Sequence, residues 1–178
     1  MRLGRSFTVV WKINNKEDIY KQLVTFVTTN QEHFYRFVYS YTRDEQAALD
    51  VIQNAIYKAL TKYNALNDSQ FLKTWFYRIL VNESLTYLRT NKQLLILSEE
   101  IEKIPHSDSY NLDELNLYQE VNKLPDKLKT IIILRFYEEM TLEEISIITN
   151  TNLSTVKSRL YKALKLLKLN YKEIDPYE

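Results

Sequence analysis

Glycine is almost absent from this sequence, because Gly4 is the only one among 178 residues. Loops that hold nucleotide phosphates need several glycines, since the backbone must approach the phosphate closely. The chain also has only three prolines, so few residues suit the tight turns between strands. The composition therefore argues against nucleotide-driven chemistry and against a strand-rich fold.

Cysteine is absent and histidine occurs twice, at His33 and His106. Disulfides and thiolate metal sites are thereby excluded, and two distant imidazoles do not suit a histidine-rich metal site or a catalytic triad. We expect no metal, no cofactor and no enzymatic activity. No apolar run approaches the roughly 20 residues of a membrane span, and we expect a cytoplasmic protein, since a chain without cysteine is compatible with a reducing compartment.

The net charge is close to zero, with 24 basic and 23 acidic residues. So small a charge does not suit a protein that coats nucleic acid by electrostatics alone. The charges are segregated, because the charged residues at 98–122 are acidic apart from Lys103, whereas every charged residue between Ser154 and Leu169 is basic. A hydrophobic content of 45% is enough for one packed domain or two small ones.

Two helices joined by a short turn are predicted near the C-terminus. Thr141 and Glu144 fit a capping box at the start of the first helix. Asn150 fits the left-handed residue that ends it, and Ser154 or Thr155 is expected to cap the second helix. This pattern is typical of a helix-turn-helix.

The second of these helices is predicted to have a packing face and a basic face. Its apolar side chains share one face at 100° per residue: Val156, Leu160, Ala163, Leu164 and Leu167. The opposite face carries Ser158, Tyr161, Lys162 and Lys165. Such a helix fits a DNA major groove, but an ordinary solvated face remains the alternative.

Helical spacing also predicts the upstream elements. Residues 17–41 form one broken helix or two consecutive helices, and Asp44 caps a helix that runs to about Tyr63. The polar face of that helix is either solvated or a docking surface for a partner's helices. It carries Asp50, Gln53, Asn54 and Tyr57.

The most aromatic predicted helix runs from Phe71 to Arg89. A helical wheel places one aromatic ring, two guanidiniums and two neutral polar side chains on one stripe: Trp75, Arg78, Asn82, Thr86 and Arg89. Aromatic rings stack on unpaired bases at roughly 1 to 3 kcal/mol each, and arginines hold phosphates. The stripe suits opened DNA strands, although a Trp75 that fills the core beside solvated arginines is equally compatible with the pattern.

These patterns predict an all-α chain of two small helical domains joined by a flexible acidic linker, the C-terminal one a helix-turn-helix domain. The predicted divisions are an N-terminal extension, a first domain, the linker, a second domain and a tail. Their boundaries are 1–16, 17–92, 93–114, 115–172 and 173–178.

Two separated stretches resemble the extracytoplasmic-function sigma factors of the sigma-70 superfamily, the small specificity subunits of bacterial RNA polymerase. Residues 124–168 resemble the promoter-recognising fourth region, notably at 134–137, 143–145 and 155–160. Residues 50–53 and 74–82 resemble the second region. Asn150 and Asn152 replace a common glycine and proline, and Asn54 stands where an acid is usual. The chain looks most like sigma V-type stress factors.

The resemblance implies a role for each face. The polymerase-binding residues would be Asp50, Gln53, Asn54 and Tyr57, docked on the clamp helices of the largest subunit. The minus-ten residues would be Phe71, Trp75, Arg78, Asn82, Thr86 and Arg89, with the loop at 64–71 holding a flipped base. The minus-thirty-five groove would be read by Lys157, Ser158, Tyr161 and Lys162, with Thr155, Arg159 and Lys165 on phosphates.

The implied partners are core RNA polymerase, promoter DNA and an anti-sigma factor, commonly membrane-anchored, that wedges between the domains. Catalysis would belong to the polymerase, and the setting would be a cell-envelope stress response. A linker of about 25 residues spans only roughly 28 Å as a free coil, whereas two turns of DNA measure about 70 Å. The linker is therefore expected to be extended when both domains engage DNA.

Two other interpretations stay open at the level of sequence. A stand-alone helix-turn-helix transcription regulator would bind duplex DNA as a dimer and would not need the Trp75 stripe. An all-helical adaptor would bind no nucleic acid, so charge reversal at Lys157 and Lys162 would leave its function unchanged.

Overall fold

A computed structural model describes residues 16–98 and 120–167, and within these ranges it is helical and contains no strand. The main α-helices are α1 Lys16–Thr29, α2 Gln31–Thr42, α3 Glu45–Lys62, α4 Leu72–Ser98, α5 Asp126–Ile132, α6 Leu142–Thr149 and α7 Leu153–Leu166, and residues 120–123 are also helical. The all-α prediction is confirmed. The predicted tail, and most of the linker and the N-terminal extension, lie outside the described residues.

The first four helices pack around an aromatic centre. The rings of Phe34 and Phe76 lie 4.7 Å apart between centroids, and Phe26 meets each of them at 5.6 and 5.7 Å. Phe34 and Phe76 are fully buried. Rings at these separations add about 0.5 to 1.5 kcal/mol per pair beyond the burial of their area, so these side chains help to hold α1, α2 and α4 together.

Polar side chains mark the helix boundaries in this part of the chain. Residues 17–41 form two helices, because α1 ends at Thr29 and α2 begins at Gln31. The Asn30 side chain between them donates to the Phe26 carbonyl at 2.8 Å. Asp44 caps α3 as predicted, since its carboxylate accepts the Ala47 N–H at 2.7 Å.

The last three helices form the helix-turn-helix unit, whose core includes the fully buried Ile131, Ile145 and Val156. The predicted capping box of α6 is present, with Thr141 and Glu144 each accepting a hydrogen bond from the other's backbone N–H. The capping box therefore begins the first helix of the helix-turn-helix.

Asn150 ends α6 in the left-handed conformation at φ 51°, as predicted. The predicted cap of the second helix was wrong. Asn152, rather than Ser154 or Thr155, caps α7, because its side-chain oxygen accepts the Thr155 N–H at 2.7 Å and the helix begins at Leu153. Asparagine, serine and threonine are all preferred helix caps, so the sequence did not distinguish Asn152 from Ser154 or Thr155.

Loss of the capping box is expected to destabilise the protein modestly. Thr141→Ala removes the acceptor for the Glu144 N–H and should cost about 1 kcal/mol, which lowers Tm by about 2 to 4 °C in a domain of this size. Ser146→Ala, on the same helix but away from its end, is the control and should stay within about 0.5 kcal/mol. Thermal unfolding followed by circular dichroism measures both, and equal shifts would contradict the assigned cap.

An irregular turn follows α5. Residues Ile133–Tyr137 form a π-helical turn, in which the Glu138 N–H donates to the Ile133 carbonyl at 3.1 Å. Glu139 then takes a left-handed conformation at φ 53°, which is uncommon for a residue with a Cβ. This wide turn points the Glu138 side chain back toward α4.

The two helical units pack against each other in the described part of the chain. Helix α4 lies against α6, and one continuous buried cluster runs from Ile19 in α1 to Leu164 in α7. No local pattern in the sequence indicates this contact between the two units. Among the described helices, none is both long enough and apolar enough to cross a membrane.

Candidate nucleic-acid and partner interfaces

Helix α7 presents the predicted basic face to solvent. Val156 is fully buried and Leu160 is 9% exposed, so the packing face is the predicted one. The opposite face is open at Lys157, Ser158, Tyr161, Lys162 and Lys165, whereas Thr155 and Arg159 are half-buried at its edges. The structure therefore brings all seven predicted minus-thirty-five residues together on one helix.

The Ser158 hydroxyl of this face can accept a hydrogen bond, and the lysines of this face attract anions. The Ser158 hydroxyl donates to the Thr155 carbonyl at 3.0 Å, which leaves its lone pairs free to accept from a base amino group. Among the described residues, no acid forms an ion pair with Lys157, Lys162 or Lys165. Their positive charge is thus not neutralised by those side chains.

Helix α4 presents a second polar stripe. Arg78, Asn82, Thr86 and Arg89 are all exposed and follow one another at helical spacing. The Thr86 hydroxyl donates to the Asn82 carbonyl at 2.7 Å, so its oxygen is available as an acceptor. The predicted minus-ten residues on this helix therefore share one solvent-facing surface.

Trp75 lies at the end of the α4 stripe and is only half-buried. Its ring packs against the core cluster on one side, so both sequence interpretations of this residue describe part of its position. Phe71, just before α4, is 55% exposed. An exposed Phe71 beside a half-exposed Trp75 offers aromatic surface on which an unpaired base can stack.

The loop predicted to hold a flipped base is fastened by a residue that sequence reasoning missed. Lys16 donates to the carbonyl oxygens of Asn64 and Leu66, each at 2.8 Å. The predicted N-terminal extension, residues 1–16, includes Lys16, whereas this residue begins α1. The contact spans about 50 positions, and no local pattern signals it. Lys16 therefore fixes the loop from across the fold.

Helix α3 presents the predicted polymerase face. Asp50, Gln53 and Asn54 are exposed, and Tyr57 is 69% exposed. The Asp50 carboxylate accepts a hydrogen bond from Gln46 at 3.1 Å. Since Ala48, Val51 and Ala55 are buried on the opposite side, this face is a polar surface on a helix whose other side is packed in the core.

A groove of about 420 Å³ lies between α3 and α4, and members of both predicted faces line it. Asp50 and Asn54 stand on the α3 side and Thr86 stands on the α4 side. The groove is also lined by Asp44, which the sequence predicted only as a helix cap, and by residues that the sequence did not single out, namely Gln46, Glu83, Tyr87 and Thr90. A partner bound to α3 would therefore lie close to whatever occupies the α4 stripe.

Acidic side chains set the electrostatics of this groove. Glu83 forms an ion pair with Lys58 at 2.6 Å, which joins α4 to α3. Partial burial raises the pKa of the Tyr87 hydroxyl, and the nearby Asp44 carboxylate raises it further. The groove therefore suits basic or hydrogen-bond-donating groups from a partner. In the described part of the chain, no group of three or more His, Asp or Glu side chains is placed to hold a metal.

Two family models match the two helical units. The model described as Sigma-70 region 2 matches residues 26–93, which contain α2, α3 and most of α4. The model described as Sigma-70, region 4 matches residues 114–167, which contain the helix-turn-helix. Together they account for both parts of the fold that carry the exposed faces.

Similar proteins support the same assignment. The chain is 39% identical over 154 residues to RNA polymerase sigma factor SigV of Bacillus subtilis, an alignment that covers 86% of this chain and 93% of that protein. It is 25% identical to the ECF RNA polymerase sigma factor SigW of the same organism, over 81% and 86% of the two chains. The chain belongs to the extracytoplasmic-function sigma factors of the sigma-70 family, which are transcription initiation factors.

The fold also matches solved structures. Sigma factor RpoE of Bartonella quintana, crystallised with the anti-sigma factor NepR, superposes with a TM-score of 0.71 at 24% identity, over 83% of this chain and 95% of that one. CnrH, solved with the cytosolic domain of CnrY, superposes with a TM-score of 0.64 at 15% identity, over 86% and 92% of the chains. At these identities the match concerns the fold.

Proposed function

We propose that this sigma factor directs core RNA polymerase to its promoters through three separate faces. The α3 face, with Asp50, Gln53, Asn54 and Tyr57, docks on the polymerase. The α4 stripe with Phe71 holds the opened minus-ten strand. The α7 face reads the minus-thirty-five element in the major groove, with Lys157, Ser158, Tyr161 and Lys162 toward the bases and Thr155, Arg159 and Lys165 on phosphates.

The observation that carries this proposal is the solvent exposure of all three faces on helices whose other sides are buried. A side chain that served only to pack the protein core would be buried, whereas Tyr57 and Lys162 are exposed to solvent. Every charged residue of α7 is basic, which suits duplex phosphates, whereas aromatic surface is found at the start of α4, which suits stacking of unpaired bases. The chemistry of each face therefore suits a different form of DNA.

The roles of the three faces also assign the two domains and the cellular role of the protein. Residues 17–92 form the polymerase and minus-ten domain, and residues 115–172 form the minus-thirty-five domain. The protein is no enzyme, because phosphodiester bond formation belongs to the polymerase that it guides. It works in the cytoplasm, where that polymerase transcribes, and its target genes belong to a cell-envelope stress response.

An anti-sigma protein, commonly membrane-anchored in this family, is the proposed inhibitory partner. Support comes from the superposed sigma factor RpoE, which was solved in complex with the anti-sigma factor NepR. The groove between α3 and α4 offers acidic and polar groups for such a partner. Release of this partner would free the α3 face for polymerase.

In vitro transcription tests the proposal. Purified core polymerase with this chain is expected to start synthesis on a panel of envelope-stress promoters and to make no specific transcript without it. The free chain is expected to bind promoter fragments weakly, because each face alone supplies few contacts and the polymerase supplies the effective concentration. A tight, sequence-specific gel shift without polymerase, and no transcription with it, would favour the stand-alone regulator.

A further inference from the structure

The loop that joins α3 to α4 presents neutral polar side chains next to an exposed aromatic ring. Residues 64–71 contain a single charged residue, Asp68, whose carboxylate accepts the Gln70 N–H at 2.9 Å. The exposed side chains of the loop are a methyl group, three neutral amides and one ring: Ala65, Asn64, Asn67, Gln70 and Phe71. Neutral amides hydrogen-bond to base edges, and an open ring stacks on a base. The loop therefore suits an unpaired base better than a phosphate.

Short-range contacts fix both ends of this loop. At its start the Leu66 N–H donates to the Tyr63 carbonyl at 3.0 Å, and the Leu66 side chain is buried. At its end the Phe71 N–H donates to the Asp68 carbonyl at 3.2 Å. The backbone is extended at Leu66 and at Asp68. Backbone polar groups of extended residues need partners from elsewhere in the fold or from water.

Lys16 supplies such a partner from the first turn of α1. Its ammonium group donates to the carbonyl oxygens of Asn64 and Leu66, each at 2.8 Å, and lies 3.4 Å from the side-chain oxygen of Asn67. An ammonium group has three donor hydrogens, so these three acceptors match its full capacity. A single side chain therefore ties three positions of the loop to α1.

The same contact orients the amide of Asn67. An ammonium group can only donate, so the atom of this amide that faces Lys16 is the oxygen and not the nitrogen. Asn67 is exposed, and its NH₂ branch is the one turned away from Lys16. That branch can donate to a carbonyl oxygen or a ring nitrogen of a base. Lys16 therefore sets which half of the Asn67 amide the loop presents.

Helix α1 is held in place by contacts that do not involve Lys16. Ile19 and Leu23 are fully buried, and the rings of Tyr20 and Tyr63 meet edge to face at 5.3 Å between centroids. Loss of the Lys16 ammonium group should therefore loosen the loop without displacing the helix. The two effects can be separated by experiment.

We propose that Lys16 is a positioning residue for base recognition by the loop at 64–71. This inference rests on the proposed function, in which Phe71 and the α4 stripe hold the opened minus-ten strand. Lys16 fixes the loop before DNA arrives, so that less conformational freedom is lost when a base binds. It contacts the loop and not the nucleic acid, and it therefore governs which base is preferred rather than how strongly phosphates are held. Helix α1, which carries none of the predicted DNA contacts, thus takes part in promoter selectivity.

Hydrogen exchange in the free protein tests whether Lys16 holds the loop. Lys16→Met removes the ammonium group and keeps an unbranched apolar side chain. The amides of residues 64–68 should then exchange at least about 10-fold faster, while those of α3 and α4 keep their rates. Lys21→Met removes an exposed lysine of the same helix, which pairs with Glu17 at 2.8 Å, and should leave the loop unchanged. Equal exchange of the loop in the unchanged chain and in Lys16→Met would overturn the proposal.

Binding by the holoenzyme tests whether the held loop selects a base. Core polymerase with this chain is bound to promoter fragments whose minus-ten element is unpaired, with each of the four bases placed in turn at each position of the non-template strand. At the position with the strongest preference, Lys16→Met is expected to lower the affinity for the preferred base about 10-fold and for the other three less than about 3-fold. Lys16→Arg keeps the charge and the donors and should restore the preference, whereas Lys21→Met should not alter it.

Salt dependence separates positioning from a direct phosphate contact. Removal of a lysine that bound a phosphate would weaken binding to all four fragments alike, and the slope of log affinity against log salt would become shallower by about one. Removal of a positioning residue leaves that slope unchanged. A uniform loss with a shallower slope would therefore overturn the proposal.

The unchanged chain separates this inference from the proposed function. If its holoenzyme binds no unpaired strand, the proposed function is rejected and the inference with it. If it binds with a base preference that Lys16→Met leaves intact, the inference alone is rejected. Circular dichroism accompanies each variant. Should Lys16→Met lose helix, Lys16→Gln, which is uncharged and one atom shorter than lysine, gives the same comparison with the same expected results.

Discussion

Reversing the charge of Lys157 and Lys162 together is expected to reduce transcription from promoters with an intact minus-thirty-five element by at least about 100-fold. Each contact to a base edge or phosphate contributes roughly 1 to 3 kcal/mol, and a glutamate at either position also repels the phosphates. Both side chains are exposed on the face of α7 opposite Val156 and Leu160. The fold should therefore survive the double substitution.

A matched double variant separates the α7 face from net charge. Lys62→Glu with Lys127→Glu changes the total charge by the same amount at exposed positions outside the proposed DNA contacts. Run-off transcription with purified core polymerase should be reduced by less than about 3-fold in this control. Equal losses in both double variants would mean that overall charge, and not the α7 face, governs promoter binding.

The same experiment addresses the all-helical adaptor. An adaptor that never meets nucleic acid would tolerate both double variants alike. Circular dichroism and thermal unfolding of the two variants should agree with the parent chain, since surface substitutions away from special features usually change stability by less than about 0.5 kcal/mol.

Local signals in the sequence predicted the parts of the fold that depend on a few adjacent residues. The Asp44 cap, the Thr141 capping box and the left-handed Asn150 each involve a donor and an acceptor within four positions. Helical periodicity likewise predicted which face of α7 is buried, because 3.6 residues per turn links the spacing to the face. Asn152 was missed because three nearby polar residues satisfied the same capping rule.

Contacts between distant residues carried no such signal. Lys16 reaches the loop at Asn64, and Tyr77 reaches Glu138 across 61 positions. Neither periodicity nor charge indicates which lysine or tyrosine crosses between elements. These contacts are therefore properties of the folded chain, and so is the groove that brings Asp50 and Thr86 together. The structure gives the exposure of the candidate DNA contacts, and their roles stay predictions.

Trp75→Ala is expected to impair opening of the minus-ten element specifically. Loss of base stacking by one aromatic ring costs roughly 1 to 3 kcal/mol, which corresponds to about a 5- to 150-fold drop in open complexes on duplex promoter. A promoter with mismatched bases across the minus-ten element no longer requires this opening step. Transcription by the variant should therefore recover on the mismatched template to within about 3-fold of the parent.

The position of Trp75 makes a control for stability necessary. Because its ring also packs against the core, the alanine variant will lose some folding free energy on every template. Ile79→Ala, one turn along α4, removes another half-buried side chain from the same cluster and should lower Tm without any dependence on the template. A Trp75→Ala defect of equal size on duplex and mismatched promoters would show that the ring only fills the core. Recovery confined to the mismatched template would instead tie the exposed half of the ring to strand opening.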